Sequence, residues 1–272
     1  DYFSVGGVNI YKYIVIQEQY AWNHEGTGIG YIHPIGTICH ELGHVLGLPD
    51  LYDNSDSPAS GIGYWGLMGA GNYNTQTSPA YMSAWSRYRL GFINPLIIEN
   101  VVNTEEIILP AETGGEDITA MILHMDSNMP QEYLILENRQ KLGSDQYLEK
   151  SGLLVWHIDE TITGMYPAIN RVNVNPDFYG VNLLQADGEG DLYGNGSADT
   201  KDSFPGSSEN TRLTDSTIPN TNLYSYDRDA DGIIEVGGDS NIGILNISEN
   251  SDNSITFTVT NPNQRGKVLG YD

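Results

Sequence analysis

His40-Glu41-Leu42-Gly43-His44-Val45-Leu46-Gly47-Leu48-Pro49-Asp50 is the stretch on which the fold turns. It has the form H-E-x-x-H. A helix returns to the same face every four residues, so His40 and His44 can both point at one zinc ion. Glu41 stands three residues before His44 and reaches the same side, where a carboxylate can take a proton from a water on the metal. The flanking residues support a helix. Ile35, Ile38, Cys39, Leu42, Val45 and Leu46 recur at helical spacing and predict an apolar stripe facing the core, with His40, Glu41 and His44 off it. Pro34 suits the first turn. Gly43 costs a helix about 1 kcal/mol relative to Ala, which points to something packed closely against it. Gly47 ends the helix, Pro49 prevents its resumption, and the turn can bring Asp50 back to the metal as a third ligand. Asp53 is a rival third ligand whose simpler role is hydrogen bonding within the turn.

The composition narrows the choice of partners. The chain has 272 residues, with 12 basic against 36 acidic side chains and a net charge of −24. Such a surface repels nucleic acid and anionic membranes. No apolar run approaches membrane-spanning length, so membrane insertion is not expected either. Cys39 is the single cysteine; it reads as a small apolar residue on the buried stripe and leaves no internal disulfide.

Beyond the helix, residues 51–78 are rich in Gly, Ser, Asn, Asp and Tyr and read as loops around the site. Met68 lies among Gly63, Gly66, Gly69 and Gly71, which permit close backbone approach beneath a metal. Tyr73 is a candidate to hydrogen-bond an oxyanion. Ser78-Pro79 predicts the start of a second helix and Gly91 its end, with Met82, Trp85 and Tyr88 facing the core and Arg87 and Arg89 at its C-terminus. After Asn94-Pro95 the periodicity changes. Strands are predicted over 96–102, 106–109, 119–124, 132–138, 153–158, 181–185, 242–247 and 254–260. An earlier strand is predicted over Val8–Tyr20 as an edge along the substrate. His157 alternates with Asp159 on one strand face and reads as a structural histidine; His24, His33 and His124 have no metal-ligand spacing.

Two acidic segments are candidates for calcium. Asp227-Arg228-Asp229-Ala230-Asp231-Gly232 has D-x-D-x-D-G spacing, with Glu235 as a later ligand, although Gly238 stands where an EF-hand has its Glu. The second is Asp187-Gly188-Glu189-Gly190-Asp191, with Asp199 and Asp202 downstream.

From His40 to Asp53 the text HELGHVLGLPDLYD resembles the immune inhibitor A family of secreted bacterial metallopeptidases, whose motif is H-E-x-x-H-x-x-G-x-x-D. The resemblance extends, in the family's order, to WGLMGAG (65–71), EYL with ENR (132–139), GLLVWHID (152–159) and LLQADG (183–188). It implies His40, His44 and Asp50 as zinc ligands, Glu41 as general base, and Met68 as the methionine of a turn beneath the metal. It also implies extracellular location. An aspartate in place of a third histidine lowers the charge of the site, so the metal acidifies its water less and leaves more proton transfer to Glu41.

The expected fold is therefore α+β: a zincin or metzincin-like catalytic core over residues 1–95 and a mostly β region over 96–272, arranged as a sandwich. Only 39 residues precede His40, and the chain begins at Asp1. The reading is thus of a core incomplete at its N-terminus, which bears on the activity of this piece. The expected function is secreted zinc endopeptidase acting on proteins or peptides, with zinc and calcium as cofactors. A catalytically inactive, calcium-stabilised binding or adhesion module descended from a protease is the alternative.

Overall fold

A computed structural model describes residues 3–6, 8–10, 14–16, 19–20, 31–55, 59–75, 77–98, 103–111, 118–125, 131–165 and 170–260. It shows an α+β chain with few helices. Phe3–Val5 (β1) pairs antiparallel with Val8–Ile10 (β2), and Gln19–Tyr20 (β3) with Tyr31–Ile32 (β4). The zinc-motif helix α1 spans Ile35–Leu46, and a shorter α2 spans Ala84–Arg89. The remaining strands are β5 (Leu96–Ile98), β6 (Thr104–Ile108), β7 (Ala120–His124), β8 (Glu132–Arg139), β9 (Gly152–Asp159), β10 (Val181–Leu183), β11 (Gly243–Glu249) and β12 (Ile255–Thr260). Helix α3 (Glu160–Met165) follows β9 directly.

A five-stranded sheet, ordered β10-β9-β8-β7-β5, runs through the middle. Its strands are antiparallel except for the parallel β5–β7 pair. Side chains alternate across a strand, and here both faces are covered. Tyr133 and Ile135 of β8, with Leu154, Trp156 and Ile158 of β9, join a core with Leu48, Leu51, Ile62, Trp65, Met68 and Trp85. The intervening Leu134, Leu136, Leu153 and Val155 face a second core. There they meet Ile108, Ile244, Ile255, Phe257 and Val259 of the three-stranded antiparallel sheet β11-β12-β6. Burial on two faces explains why β8 and β9 read as near-continuous apolar runs. The first core draws side chains from both sides of residue 96.

Three expectations change. The strand predicted over Val8–Tyr20 is two short strands, with residues 14–16 outside either; β2 turns back on β1 through Gly6 (φ +58°), while β3 pairs with β4. The rest of that stretch, and His24, lie outside the described residues. The second helix starts at Ala84 and is capped by Ser83, whose side chain accepts from Ser86 N–H. Residues before it are held extended by Ala80 N–H to Gly71 and Tyr81 N–H to Asp145. Ser78 instead donates to the Ser144 carbonyl. Arg87 is buried against Glu137 and does not serve a solvent-facing helix end.

The third change concerns α1. Its apolar stripe is not its buried face: Ile35, Leu42 and Leu46 are 45%, 48% and 48% exposed, and Cys39 is half-buried. The buried residues are Gly36, His40 and Gly43. The reason is steric. The Asn72 backbone fills the space where Gly36 would carry a side chain, and a Cβ at Gly43 would lie 2.5 Å from Met68 Sδ. The close neighbour expected at Gly43 is thus Met68.

Beneath this face a group of buried charges joins loop to sheet. Arg139 of β8 donates from Nε and Nη2 to Asp145 at 2.5 and 2.7 Å, and from Nη1 to the Trp65 carbonyl at 3.0 Å. Glu137 on the same strand accepts from Arg87 at 2.7 Å, from Trp156 Nε1 at 2.7 Å and from Ala84 N–H at 3.1 Å. Removing one partner leaves an uncompensated buried charge, so Arg139→Met should lower unfolding free energy by about 3–5 kcal/mol. Asp145→Leu added to it should recover part of that loss. Urea unfolding of Arg139→Met, Asp145→Leu and the double variant checks this; a double variant less stable than the sum of the two singles would refute the pairing.

Candidate metal centre

His40 and His44 stand one turn apart on α1, and Gly47 (φ +104°) closes the helix in the left-handed conformation that only Gly takes without strain. The chain then returns, placing Asp50 against both rings. His40 Nε2 and His44 Nε2 lie 3.1 and 3.2 Å from Asp50 Oδ1, and 3.1 Å from each other.

The proton positions decide what this cluster can do. His40 Nδ1 lies 2.9 Å from the Leu67 carbonyl, and His44 Nδ1 2.9 Å from the Leu48 carbonyl. A carbonyl only accepts, so in the neutral rings each Nδ1 carries the proton. Each Nε2 then presents a lone pair, and Asp50 Oδ1 adds a third. Three electron pairs facing one another at such distances repel unless a cation or protons lie between them. Ligands about 2.0–2.1 Å from a tetrahedral zinc are about 3.3 Å apart, close to the spacing here. The donor set therefore fits a zinc ion.

The surroundings sharpen that chemistry. Asp50 is 6% exposed. Burial pushes its carboxyl up, but the His40 and His44 imidazoles and the Asn170 amide outweigh this and hold it below the carboxylate range. The hydrogen bond to Asp50 raises His44 above its ordinary value, against the opposing effect of burial. Protons and a metal thus compete for the same lone pairs. Glu41 is half-buried and lines a cavity of about 270 Å³ together with His40, Tyr52, Asn72 and Tyr73.

The other predicted residues fall in different places. Met68 packs under Gly43, and its carbonyl accepts from Leu51 N–H at 2.8 Å, which ties this turn to the chain approaching Asp50. Tyr73 is 66% exposed at the cavity edge. Asp53 is buried, stands apart from the His40, His44 and Asp50 group, and accepts Ser55 N–H at 2.8 Å. Asp227, Asp229 and Asp231 bring carboxylate oxygens within 4.8 Å of one another. Loop N–H groups of Asp231, Gly232 and Ile233 already donate to these carboxylates, and Glu235 accepts from Arg228 N–H. Asp187 and Asp191 join no three-residue ligand cluster among the described residues. Burial, followed by the charges of Asp199 and Asp187, raises the Asp191 carboxyl, and burial with nearby acids pushes Asp202 up to about 7. His157 is structural: it is buried, 2.8 Å from Glu132, and stacked on Tyr224 with centroids 4.1 Å apart. Burial pushes it down to about 4.

Two contributors were missed from the sequence. Tyr52 stacks on His40 at 6.4 Å, and burial, followed by the negative charge of Asp50, raises its hydroxyl above the ordinary value. Its place two residues after Asp50 offered a clue. Asn170 touches Asp50 from 120 residues away, a distance over which no spacing rule operates.

Among known proteins, no curated relative matches this chain. Residues 15–96 match the family model described as immune inhibitor A peptidase M6, catalytic domain. That segment contains the whole helix, the Asp50 turn and Met68, so the part of the chain that carries the candidate metal centre is similar to the catalytic domain of the immune inhibitor A peptidases.

Proposed function

We propose that this chain is a zinc-dependent endopeptidase of the immune inhibitor A type, acting on proteins or peptides outside the cell. The observation that carries it is the meeting of His40 Nε2, His44 Nε2 and Asp50 Oδ1 at 3.1–3.2 Å with both Nδ1 protons already committed to carbonyls. Zinc bound there supplies a Lewis acid that acidifies water and polarises the scissile carbonyl. Glu41 takes the proton from the attacking water and delivers it to the leaving amine. Tyr52 stacks against the His40 ring and helps to hold its orientation. Tyr73, at the cavity edge, is placed to meet substrate and is our candidate for oxyanion stabilisation.

Residues 1–95 would form a metzincin-like core and residues 96–272 a β-rich companion. The shared apolar cluster between the five- and three-stranded sheets supports the sandwich reading of that companion. Extracellular location rests on the family; among the described residues no helix is long and apolar enough to cross a membrane.

Glu41→Gln keeps the side chain's size but cannot act as a base near neutral pH. Zinc should stay bound while peptide hydrolysis falls by roughly two to four orders of magnitude. Asp50→Ala should lose zinc and activity together. Metal analysis alongside turnover of a broad peptide panel separates base from ligand. Equal turnover in Glu41→Gln and the parent would end the protease reading, as would a zinc-loaded parent that cleaves nothing.

Calcium belongs to the same proposal, at Asp227, Asp229 and Asp231. Calcium added to chelated protein should raise the thermal unfolding midpoint by mass action on the folded state, and Asp229→Ala with Asp231→Ala should abolish the increment. An unchanged response in that double variant would transfer the assignment to the Asp187 and Asp191 segment. A calcium response without any hydrolysis would favour the alternative, an inactive binding module.

A further inference from the structure

Of the three donors at the metal centre, Asp50 alone lies off α1. It follows the helix end at Gly47, on a turn that the helix does not hold, so its carboxylate needs fixing from elsewhere. The fixing comes from residue 170. Asp50 N–H donates to Asn170 Oδ1, and Asn170 Nδ2 donates to Asp50 Oδ2. One side-chain amide thus holds both the main chain and the carboxylate of Asp50. Because the amide takes Oδ2, Oδ1 is the oxygen turned to the two imidazoles.

Asn170 is itself held in place. It has φ +53°, in the left-handed region that Asn enters more readily than most residues. Asn54 Nδ2 donates to its carbonyl at 2.7 Å. Three residues on, Asn173 bonds β10 twice, accepting from Val181 N–H at 3.0 Å and donating to the Val181 carbonyl at 2.7 Å. The same Asn173 Nδ2 also reaches the Leu51 carbonyl at 3.1 Å. A continuous set of hydrogen bonds therefore runs from the central sheet, through the 170–173 segment, to the residues at and beside Asp50.

We infer that Asn170 is a positioning residue of the metal centre, which holds Asp50 to single-oxygen coordination of zinc; this rests on the zinc reading above. The inference makes the 170–173 segment part of the metal-binding unit, although it lies beyond the residues that match the catalytic-domain family. Partners that orient a metal ligand are typically worth 10- to 100-fold in metal affinity. Without the amide, Oδ2 is free to turn inward and make a two-oxygen contact, or the carboxylate swings away.

The test uses the full chain, stripped with a chelator and titrated with Zn2+ against a competing indicator. Asn170→Gly removes the amide while keeping a residue that accepts positive φ. Its zinc dissociation constant should rise about 10- to 100-fold. The visible spectrum of the Co2+-loaded variant should change as the oxygen coordination changes. A purely structural role would instead lower the unfolding midpoint of the metal-free protein and leave the Co2+ spectrum as in the parent. Asn170→Asp is the second variant: it keeps an acceptor for Asp50 N–H but sets a carboxylate against Asp50 Oδ2. It should bind zinc more weakly still, and it decides the question if Asn170→Gly does not fold. Zinc affinities within about twofold of the parent in the folded variants, with unchanged Co2+ spectra, would overturn the inference. A parent that binds no zinc would overturn the zinc reading itself, a result distinguishable from failure of the Asn170 assignment alone.

Discussion

Arg139 is wholly buried, and its guanidinium must find acceptors for its donors inside the protein. It finds them on four residues: the Asp145 carboxylate, the Trp65 carbonyl and, at 3.4 Å each, the Tyr81 carbonyl and the Glu137 carboxylate. Asp145 returns an acceptor to Tyr81 N–H. One side chain on the central sheet thus fixes the main chain on both sides of the Met68 turn. That turn supplies the Leu67 carbonyl which orients His40, and the thioether that packs against Gly43. A shift in Arg139 would propagate to the His40 ring through the three consecutive residues Trp65, Gly66 and Leu67.

Buried ion pairs are costly to form, and apolar residues of similar shape often stabilise as well or better. What Arg139, Asp145, Glu137 and Arg87 add is direction. A hydrogen bond favours a limited range of distance and angle, whereas the apolar burial of Leu51, Ile62 and Trp65 is non-directional. A metal centre needs donors placed to within a few tenths of an ångström. Charged hydrogen bonds under the loop supply that directionality, and the cycle of Arg139 and Asp145 variants measures their strength.

The strands and the zinc-motif helix were legible in the sequence because they rest on local periodicity. All eight strands expected after residue 96 are found, with ends differing by a few residues wherever both ends lie among the described residues. The orientation of α1 was not legible. Hydrophobic periodicity assumes that the largest apolar face is buried, but here Gly36 and Gly43 admit the Asn72 backbone and Met68, so the small-residue face packs inward. Likewise Ser83 rather than Ser78 caps α2, since the competing partner of Ser78, the Ser144 carbonyl, comes from a distant loop. His40, His44 and Asp50 were readable as a spacing; Asn170 was not, because its contact with Asp50 spans 120 residues.

The inward turn of the small face also explains how a polar cluster comes to lie at a core. His40 is 5% exposed, yet both ring nitrogens have partners, Leu67 on one side and Asp50 on the other. Had the apolar stripe faced the core, the imidazoles would have pointed to solvent, where water competes for every lone pair. Facing inward, the His40 ring stacks on Tyr52 while Gly43 of the same helix meets Met68, and the cavity that His40 lines is shared with Glu41. Lowered water content strengthens the attraction between a cation and Asp50, and it equally raises the cost of leaving the three donors bare. The two glycines of α1 thus link helix packing to metal chemistry: a side chain at either would push the helix off the Met68 turn and carry His40 away from the Leu67 carbonyl that sets its tautomer.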